Sequence, residues 1–292
     1  MNPRYRQANA IAMSDTSRNY PVVLCIAGSD NTGGAGIAAD IKACAACGAY
    51  AATVITAVTA QNHKGLRSLQ YVGDTMLHDQ LSATLECMHP SAVKIGLVPE
   101  VRAAEIIHEF IRLYGLSNVV VDPVLSATSG GAFTGTSENE ERQTIESIRS
   151  LLFGIATVVT PNLPELYRLA ALPDDSSAEA CALSLMKKYP MESLLVKGGH
   201  SEGNVCSDIL YHRLQNGEIS KSTYSASRIE SRHIHGTGCT LSSSIAAGLS
   251  YGLSVEEAVE SAKQTISSAI CNGRDFPVTE NYGPVHAIAP GR

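Results

Sequence analysis

The chain has 292 residues, of which 44% are hydrophobic, and a formal net charge of −6. This composition is ordinary for a globular protein and argues against global disorder. Because the chain carries no basic excess, we do not expect a nucleic-acid partner. Because it contains no apolar run of bilayer-spanning length, we expect no membrane association and a cytoplasmic location.

The first twenty residues are polar and lack an apolar core of signal-peptide length. They predict a poorly ordered tail over 1–20, followed by a single domain over 21–292. The eight cysteines are expected to be free thiols in a cytosolic protein. Cys44 and Cys47 have C-x-x-C spacing, but they lie in an alanine-rich helical stretch. Two small core residues are therefore favoured there over a redox or zinc site.

Apolar runs and helical stretches alternate along the chain. Predicted strands cover 21–27, 52–60, 92–96, 118–122, 157–160 and 194–196, and a predicted hairpin joins 208–211 to 219–224. Predicted helices cover 33–48, 74–87, 100–114, 141–152, 177–188, 237–251 and 255–271. This α/β pattern predicts a central, mostly parallel sheet covered by helices on both faces, with ligands at the carboxyl ends of the strands. The polar connection over 126–140 is typical of a lid or a mobile loop.

The segment from His235 to Thr240 places glycines on both sides of Thr237, just before a helix of small residues. Backbone N–H groups at Gly236 and Gly238 and the positive end of the helix would suit a phosphoryl group. Cys239 would lie at that helix N-terminus, where the pKa of a thiol is lowered, and could accept a proton from an alcohol. The alternative is a glycine turn that caps a buried helix. Spacing alone does not decide between them.

The glycine-rich stretch after the first strand is close to a dinucleotide-binding fingerprint, because G-x-G-x-x-A runs from Gly34 to Ala39. That fingerprint also requires an acidic residue about twenty positions later, at the end of the next strand. Here the corresponding region ends in Gln61 and Asn62. The sequence therefore argues against a nicotinamide site, and it contains no Walker A motif.

Three further strand ends carry polar side chains. Asn162 and Glu165 have the spacing of a helix-capping box, and both could also hold Mg²⁺ through water. Asp122 follows a strand, where an acid points into a ligand crevice, although it could simply cap a turn. Lys197 precedes two glycines and could neutralise phosphate charge, or could be a surface lysine before a turn.

Taken in order, these motifs resemble the hydroxymethylpyrimidine kinases of thiamine biosynthesis, which belong to the ribokinase-like superfamily. The segments that carry the resemblance are Gly28 to Gly36, Ala60 to Asn62, Lys94 to Gly96, Asp122 to Val124, Thr160 to Glu165, Lys197 to His200, His235 to Thr240 and Gly283 to His286. The resemblance implies a ribokinase-like fold, ATP as co-substrate, Mg²⁺ as cofactor and a homodimer. It also implies phosphorylation of 4-amino-5-hydroxymethyl-2-methylpyrimidine to the monophosphate and then to the diphosphate.

The resemblance also assigns roles by position. Gln61 would bind the pyrimidine's amino and ring-nitrogen edge, because a side-chain amide offers both a donor and an acceptor. The remainder of the substrate pocket would comprise Gly28, Asp30, Ala35, Val124 and Cys239. Asp122 and Glu165 would lie at the metal, and Asn162 and Lys197 at the nucleotide. The anion hole would comprise Gly236, Thr237 and Gly238, with Cys239 as the base of the first phosphorylation only.

The sequence departs from the family pattern at two positions. Leu97 replaces a methionine, which nearly conserves volume, and Thr128 replaces a loop lysine, which weakens any lid-lysine role in gripping phosphates. The alternatives are a pyridoxal kinase of the same superfamily, against which Gln61 argues, and a non-catalytic pyrimidine-binding protein. A redox or metal protein has no supporting spacing beyond Cys44 and Cys47.

Overall fold

The structure is a computed structural model that describes residues 20–125, 137–173, 175–199, 203–280 and 282–288. The predicted tail, except Tyr20, lies outside the described residues. So do Thr128, His200 and most of the predicted polar connection over 126–140.

A nine-stranded sheet runs through the described residues. Its strands are β1 (Val22–Asp30), β2 (Tyr50–Asn62), β3 (Gly65–Tyr71), β4 (Ala92–Ile95), β5 (Val119–Val121), β6 (Val158–Val159), β7 (Ser193–Val196), β8 (Val205–Arg213) and β9 (Ile219–Ser227). The helices are α1 (Gly36–Ala46), α2 (Asp74–Leu85), α3 (Val101–Leu113), α4 (Glu138–Ser147), α5 (Leu163–Ala170), α6 (Ala178–Lys188), α7 (Thr237–Ser250) and α8 (Val255–Asp275). A π-helical turn (Ile148–Leu152) and a 3₁₀ turn (Phe153–Ile155) extend α4.

The strand order is β3-β2-β1-β4-β5-β6-β7-β8-β9. Strands β2, β1, β4, β5, β6 and β7 are parallel, whereas β3, β8 and β9 pair antiparallel at the two edges. The chain passes from β1 to β2 on one side and then returns to β4 on the other side of β1. Such a reversal of strand order opens a crevice at the carboxyl ends of the strands, where α/β proteins bind ligands.

Successive side chains of β1 point to opposite faces of the sheet and pack into two separate core layers. Leu24 and Ile26 pack with residues from α2 to α6 on one face. Val23 and Cys25 pack with α1, α7 and α8 on the other face. Helices therefore cover both faces, as predicted. Cys44 and Cys47 are buried in the second layer, as predicted for small core residues, and the eight cysteines, all of them among the described residues, form no disulfide.

Strand β3 was not predicted from the sequence. Its side chains are mostly half-buried or exposed, so it has no apolar run to reveal it. It pairs with β2 along the sheet edge, where short polar strands are common. The β8–β9 hairpin was predicted, but β8 extends further at both ends, and β9 starts at the predicted residue and ends later. Within the described ranges, no helix has the length and apolar character needed to cross a membrane.

Candidate active site

A cavity of about 1050 Å³ lies at the carboxyl ends of the parallel strands. All of the site residues predicted from the sequence line it, although they come from six separate segments of the chain. They are Gly28, Asp30, Ala35, Gln61, Asp122, Val124, Asn162, Glu165, Lys197, Gly236, Thr237, Gly238 and Cys239. The strand ends that the sequence placed in one crevice therefore do meet there.

Asp30 ties the loop after β1 to the segment before α7. Its carboxylate accepts hydrogen bonds from the backbone N–H groups of Thr32 and Ala35, each at 2.9 Å, and from His235 Nε2 at 2.7 Å. Burial alone would raise the pKa of Asp30, but the hydrogen bonds from His235 and Thr32 hold it well below its usual range. The carboxylate is therefore an ionised link between two walls of the cavity, and its contact with substrate remains a prediction.

The start of α7 is pressed against the loop after β1. Gly236, the N-cap of this helix, has φ +81°, and a Cβ at this position would lie 1.8 Å from the carbonyl oxygen of Gly34. Only glycine fits such a backbone without displacing the loop. The first N–H groups of a helix have no partner within it and favour an anion. The positive end of α7 thus forms part of the cavity wall, which supports the predicted anion hole.

Gln61 enters the cavity from β2, which lies on the other side of β1 from strands β4 to β7. The pairing of β2 with β3 shifts register between Ala60 and Gln61, which marks an irregularity of the β-bulge type. Ala60 is exposed there, whereas Gln61 is buried. The backbone N–H of Gln61 donates to Asn31 Oδ1 at 2.7 Å, so the loop after β1 also fixes this residue.

Asp122 and Lys197 form an ion pair at the ends of β5 and β7, in which Asp122 is buried and Lys197 is partly exposed to the cavity. Lys197 Nζ lies 2.7 Å from Asp122 Oδ1, and the carboxylate also accepts from Thr160 Oγ1 and Ser242 Oγ, each at 3.1 Å. Burial would lower the pKa of Lys197, but Asp122 and Glu165 raise it above its usual range. Lys197 is therefore a fixed cation on the cavity wall, not a surface lysine.

Asn162 and Glu165 form the predicted capping box of α5. The Asn162 side chain accepts from the Glu165 N–H, and Glu165 accepts from the Asn162 N–H, both at 2.8 Å. Glu165 also lies 3.7 Å from Lys197 Nζ. Burial raises the pKa of Glu165 above its usual range, although Lys197 opposes the shift. The capping box therefore stabilises the start of α5, and the Glu165 carboxylate still lines the cavity.

Cys239 contradicts one expectation. The thiol occupies the first turn of α7 as predicted, yet burial raises its pKa to about 11, despite the opposing charge of Lys94. Asp40 and Asp122 raise it further. The expectation that the helix N-terminus would lower this pKa was wrong, because burial beside two carboxylates outweighs the partial positive charge of the helix.

The sequence analysis missed a fully buried ion pair beneath Cys239. Lys94 Nζ lies 2.8 and 3.0 Å from the two carboxylate oxygens of Asp40, and Ser243 Oγ donates to Asp40 at 2.8 Å. A lysine inside the apolar strand 92–96 was the available signal, because an isolated charge is not left unpaired in a core. Its partner could not be identified from spacing. The links from Asp30 to His235 and from Asp208 to Lys263 were missed for the same reason.

The family model described as phosphomethylpyrimidine kinase matches residues 30–286. A hydroxymethylpyrimidine/phosphomethylpyrimidine kinase of Rhizobium meliloti is 38% identical over 91% of this chain and 96% of its own length. A probable thiamine biosynthetic bifunctional enzyme of rice, a chloroplastic protein, is also 38% identical over 94% of this chain. The chain spans only 49% of the rice protein's length.

Among solved structures, the ADP complex of Bacillus subtilis pyridoxal kinase superposes with a TM-score of 0.80 at 28% identity. The match covers 92% of this chain and 98% of that one. The ribokinase-like fold implied by the motifs is thereby confirmed. With a family model spanning the cavity residues from Asp30 to Cys239, the chain belongs to the phosphomethylpyrimidine kinase family.

Proposed function

We propose that this protein phosphorylates 4-amino-5-hydroxymethyl-2-methylpyrimidine with ATP, and then phosphorylates the resulting monophosphate to the diphosphate, in thiamine biosynthesis. The observation that carries the proposal is a single cavity that joins Gln61 to the start of α7 and to Lys197. Family membership and the R. meliloti relative of similar length support both activities. The Gln61 amide can recognise the pyrimidine, and Lys197 with the N–H groups of α7 can bind phosphate. These are the groups that the two substrates need.

In the first reaction, the hydroxymethyl oxygen attacks the γ-phosphorus of ATP, and the bond to the β–γ bridging oxygen breaks to release ADP. The amides of Gly236, Thr237 and Gly238 stabilise the transferring phosphoryl group, while Lys197 neutralises phosphate charge. Cys239, as thiolate, takes the hydroxyl proton. In the second reaction the nucleophile is an ionised phosphate oxygen, so no proton has to be removed.

At the substrate end, the Gln61 amide donates to a ring nitrogen and accepts from the amino group of the pyrimidine. The loop of Gly28, Asp30 and Ala35 and the side chain of Val124 enclose the ring. The Asp30 carboxylate fixes this loop through the amides of Thr32 and Ala35.

The carboxylates of Asp122 and Glu165 would hold Mg²⁺, whose role is to neutralise charge on the phosphates of ATP. Both are hard oxygen donors beside the cavity, and Asn162 adds an amide there. Lys197 Nζ already lies 2.7 Å from Asp122 and 3.7 Å from Glu165. Among the described residues, no three His, Cys, Asp or Glu side chains converge on one point. Two carboxylates and an amide suit a hard ion whose remaining ligands are water and phosphate oxygens.

The test is purified protein with magnesium-ATP and either the hydroxymethylpyrimidine or pyridoxal, with products followed by phosphorus NMR. Monophosphate and then diphosphate from the pyrimidine support the proposal. Pyridoxal kinase activity is the second candidate, because a pyridoxal kinase superposes closely on this fold. Product from pyridoxal alone would overturn the first proposal, and no product from either would favour the non-catalytic binding protein.

The homodimer implied by the resemblance and the cytoplasmic location expected from the hydropathy of the chain remain predictions. The homodimer can be tested by light scattering of the purified protein. The cytoplasmic location can be tested by fractionation of the source cells.

A further inference from the structure

We propose that Asp208 and Lys263 are positioning residues, which act through the backbone of Gly198 to fix the ammonium of Lys197 at the phosphate end of the cavity. The inference rests on the proposed function, since it assigns Lys197 to phosphate. Both residues lie outside the motifs recognised in the sequence. Asp208 belongs to β8, and Lys263 belongs to α8.

The two side chains form an ion pair in the cavity wall. Lys263 Nζ lies 2.7 Å from Asp208 Oδ2, and the residues are 9% and 4% exposed. The other oxygen, Asp208 Oδ1, accepts a hydrogen bond of 2.8 Å from the backbone N–H of Gly198. One carboxylate thus connects a helix on one face of the sheet to the turn that follows Lys197.

The turn is held from two sides. Strand β8 packs so closely that a Cβ on Gly198 would lie 1.8 Å from the carbonyl oxygen of Ser207. From the other side, the Lys197 N–H donates to the carbonyl oxygen of Pro161 at 2.9 Å. With the backbone fixed at consecutive residues, the Lys197 side chain reaches Asp122 at 2.7 Å.

Stability alone does not account for a pair of this kind. Removing two charges from water is costly, and apolar replacements of buried pairs are often equally stable or more stable. Apolar residues could not orient the Gly198 N–H, because only a hydrogen-bond acceptor can do so. The pair can therefore fix the geometry of the cavity wall where an apolar replacement could not. Asp208 and Lys263 both line the cavity, and Asp208 contacts the residue that follows Lys197.

Three variants separate the contributions. Asp208→Ala removes the acceptor for Gly198, and kcat should fall by about 100-fold, the scale of a 1 Å misplacement of a reacting group. Lys263→Met keeps the acceptor but leaves a buried negative charge near the phosphates, so the KM for ATP should rise about tenfold with a smaller change in kcat. The double variant Asp208→Asn with Lys263→Met keeps an acceptor and removes both charges, and should recover most of the wild-type kcat.

Two controls test whether the effects are only those of destabilisation. Leu210→Ala removes a buried side chain from the same strand, β8, and should lower the Tm without lowering kcat well below the transition. Lys221 lies on the neighbouring strand, β9, and Lys221→Met breaks its exposed pair with Glu179 of α6, so this variant should leave both parameters unchanged. If Asp208→Ala behaves like Leu210→Ala, or if the double variant is no better than Asp208→Ala, the positioning role is wrong.

Amide hydrogen exchange of Gly198, followed by NMR, distinguishes this failure from failure of the proposed function. Protection should be lost in Asp208→Ala and retained in the double variant, whether or not the protein phosphorylates a pyrimidine. An inactive wild-type protein with this exchange pattern would overturn the proposed function alone. Equal protection in all variants would overturn the positioning role.

Discussion

The base role of Cys239 makes a prediction that depends on pH. Burial raises the pKa of this thiol to about 11, so only about one molecule in 10⁴ carries the thiolate at pH 7, and about one in 100 at pH 9. If the thiolate removes the hydroxyl proton, the rate of the first phosphorylation should rise about tenfold per pH unit across this interval. The second phosphorylation should not follow this slope, because its phosphate nucleophile is already ionised above a pKa of about 6.

The perturbation is Cys239→Ser, which nearly conserves shape but replaces the thiol with a hydroxyl that does not ionise in this range. We expect the first phosphorylation to fall by at least about 100-fold, the lower bound for loss of a general base, and its pH slope to disappear. The second should change by less than about tenfold, since the Gly236 to Gly238 amides remain. Cys87→Ser is the matched control, because Cys87 is an exposed thiol away from the cavity.

Single-turnover quench experiments with labelled ATP, with separation of the mono- and diphosphate, measure the two steps independently. Measurements at pH 7, 8 and 9 give the slope for each step. Equal losses in both steps with unchanged ATP binding would refute the base role. A first step that is already independent of pH in the wild type would refute it as well, and would leave Cys239 as a pocket residue.

Three other predictions concern the walls of the cavity. Gly236→Ala should lower kcat by about 100-fold, because its Cβ displaces the neighbouring loop carbonyl. Gly252 has a similar φ of +80°, but a Cβ added there would meet no described atom within 4 Å. Gly252→Ala should therefore cost only about 1–2 kcal/mol of stability. Equal kcat in the Gly236→Ala and Gly252→Ala variants would contradict the clash at Gly236. Lys94→Met leaves the buried Asp40 carboxylate without its cation, and should lower the free energy of unfolding, measured in urea, by about 3–5 kcal/mol. Adding Asp40→Asn should recover part of this loss. A loss under about 1 kcal/mol would contradict the buried pair. Asp30→Asn should lower the free energy of unfolding by about 1.5–3 kcal/mol at pH 7. Because the pKa of Asp30 is depressed in the folded protein, this difference from wild type should shrink as pH falls below about 4. A difference independent of pH would contradict the ionised link.

Much of the fold could be predicted from the sequence, because it rests on local patterns. Apolar runs of strand length alternate with helical stretches, and this alternation alone implies a parallel sheet with both faces covered. The capping box of Asn162 and Glu165 was predictable because its two partners are three residues apart. Strand β3 was not, since an edge strand of mixed polarity lacks the period that reveals buried strands.

The candidate site also has features that the sequence predicts and features that depend on the tertiary structure. The sequence by itself determined which strand ends carry polar groups, which parallel strands present at one edge of the sheet. The family resemblance then assigned Gln61, Asp122, Lys197 and Cys239 to one site. Only the tertiary structure decided how those groups are held and charged. The links from Asp30 to His235 and from Asp122 to Lys197 join residues 205 and 75 positions apart.

The pKa of Cys239 shows the physical reason for the division. Its place in the first turn of α7 follows from local spacing, and local reasoning predicts a lowered pKa. The raised value comes from burial beside Asp40 and Asp122, which arrive from distant segments. Periodicity and turn residues act over a few positions, whereas burial and charge act through space, so the sequence determined where this thiol lies and the folded chain decided how acidic it is.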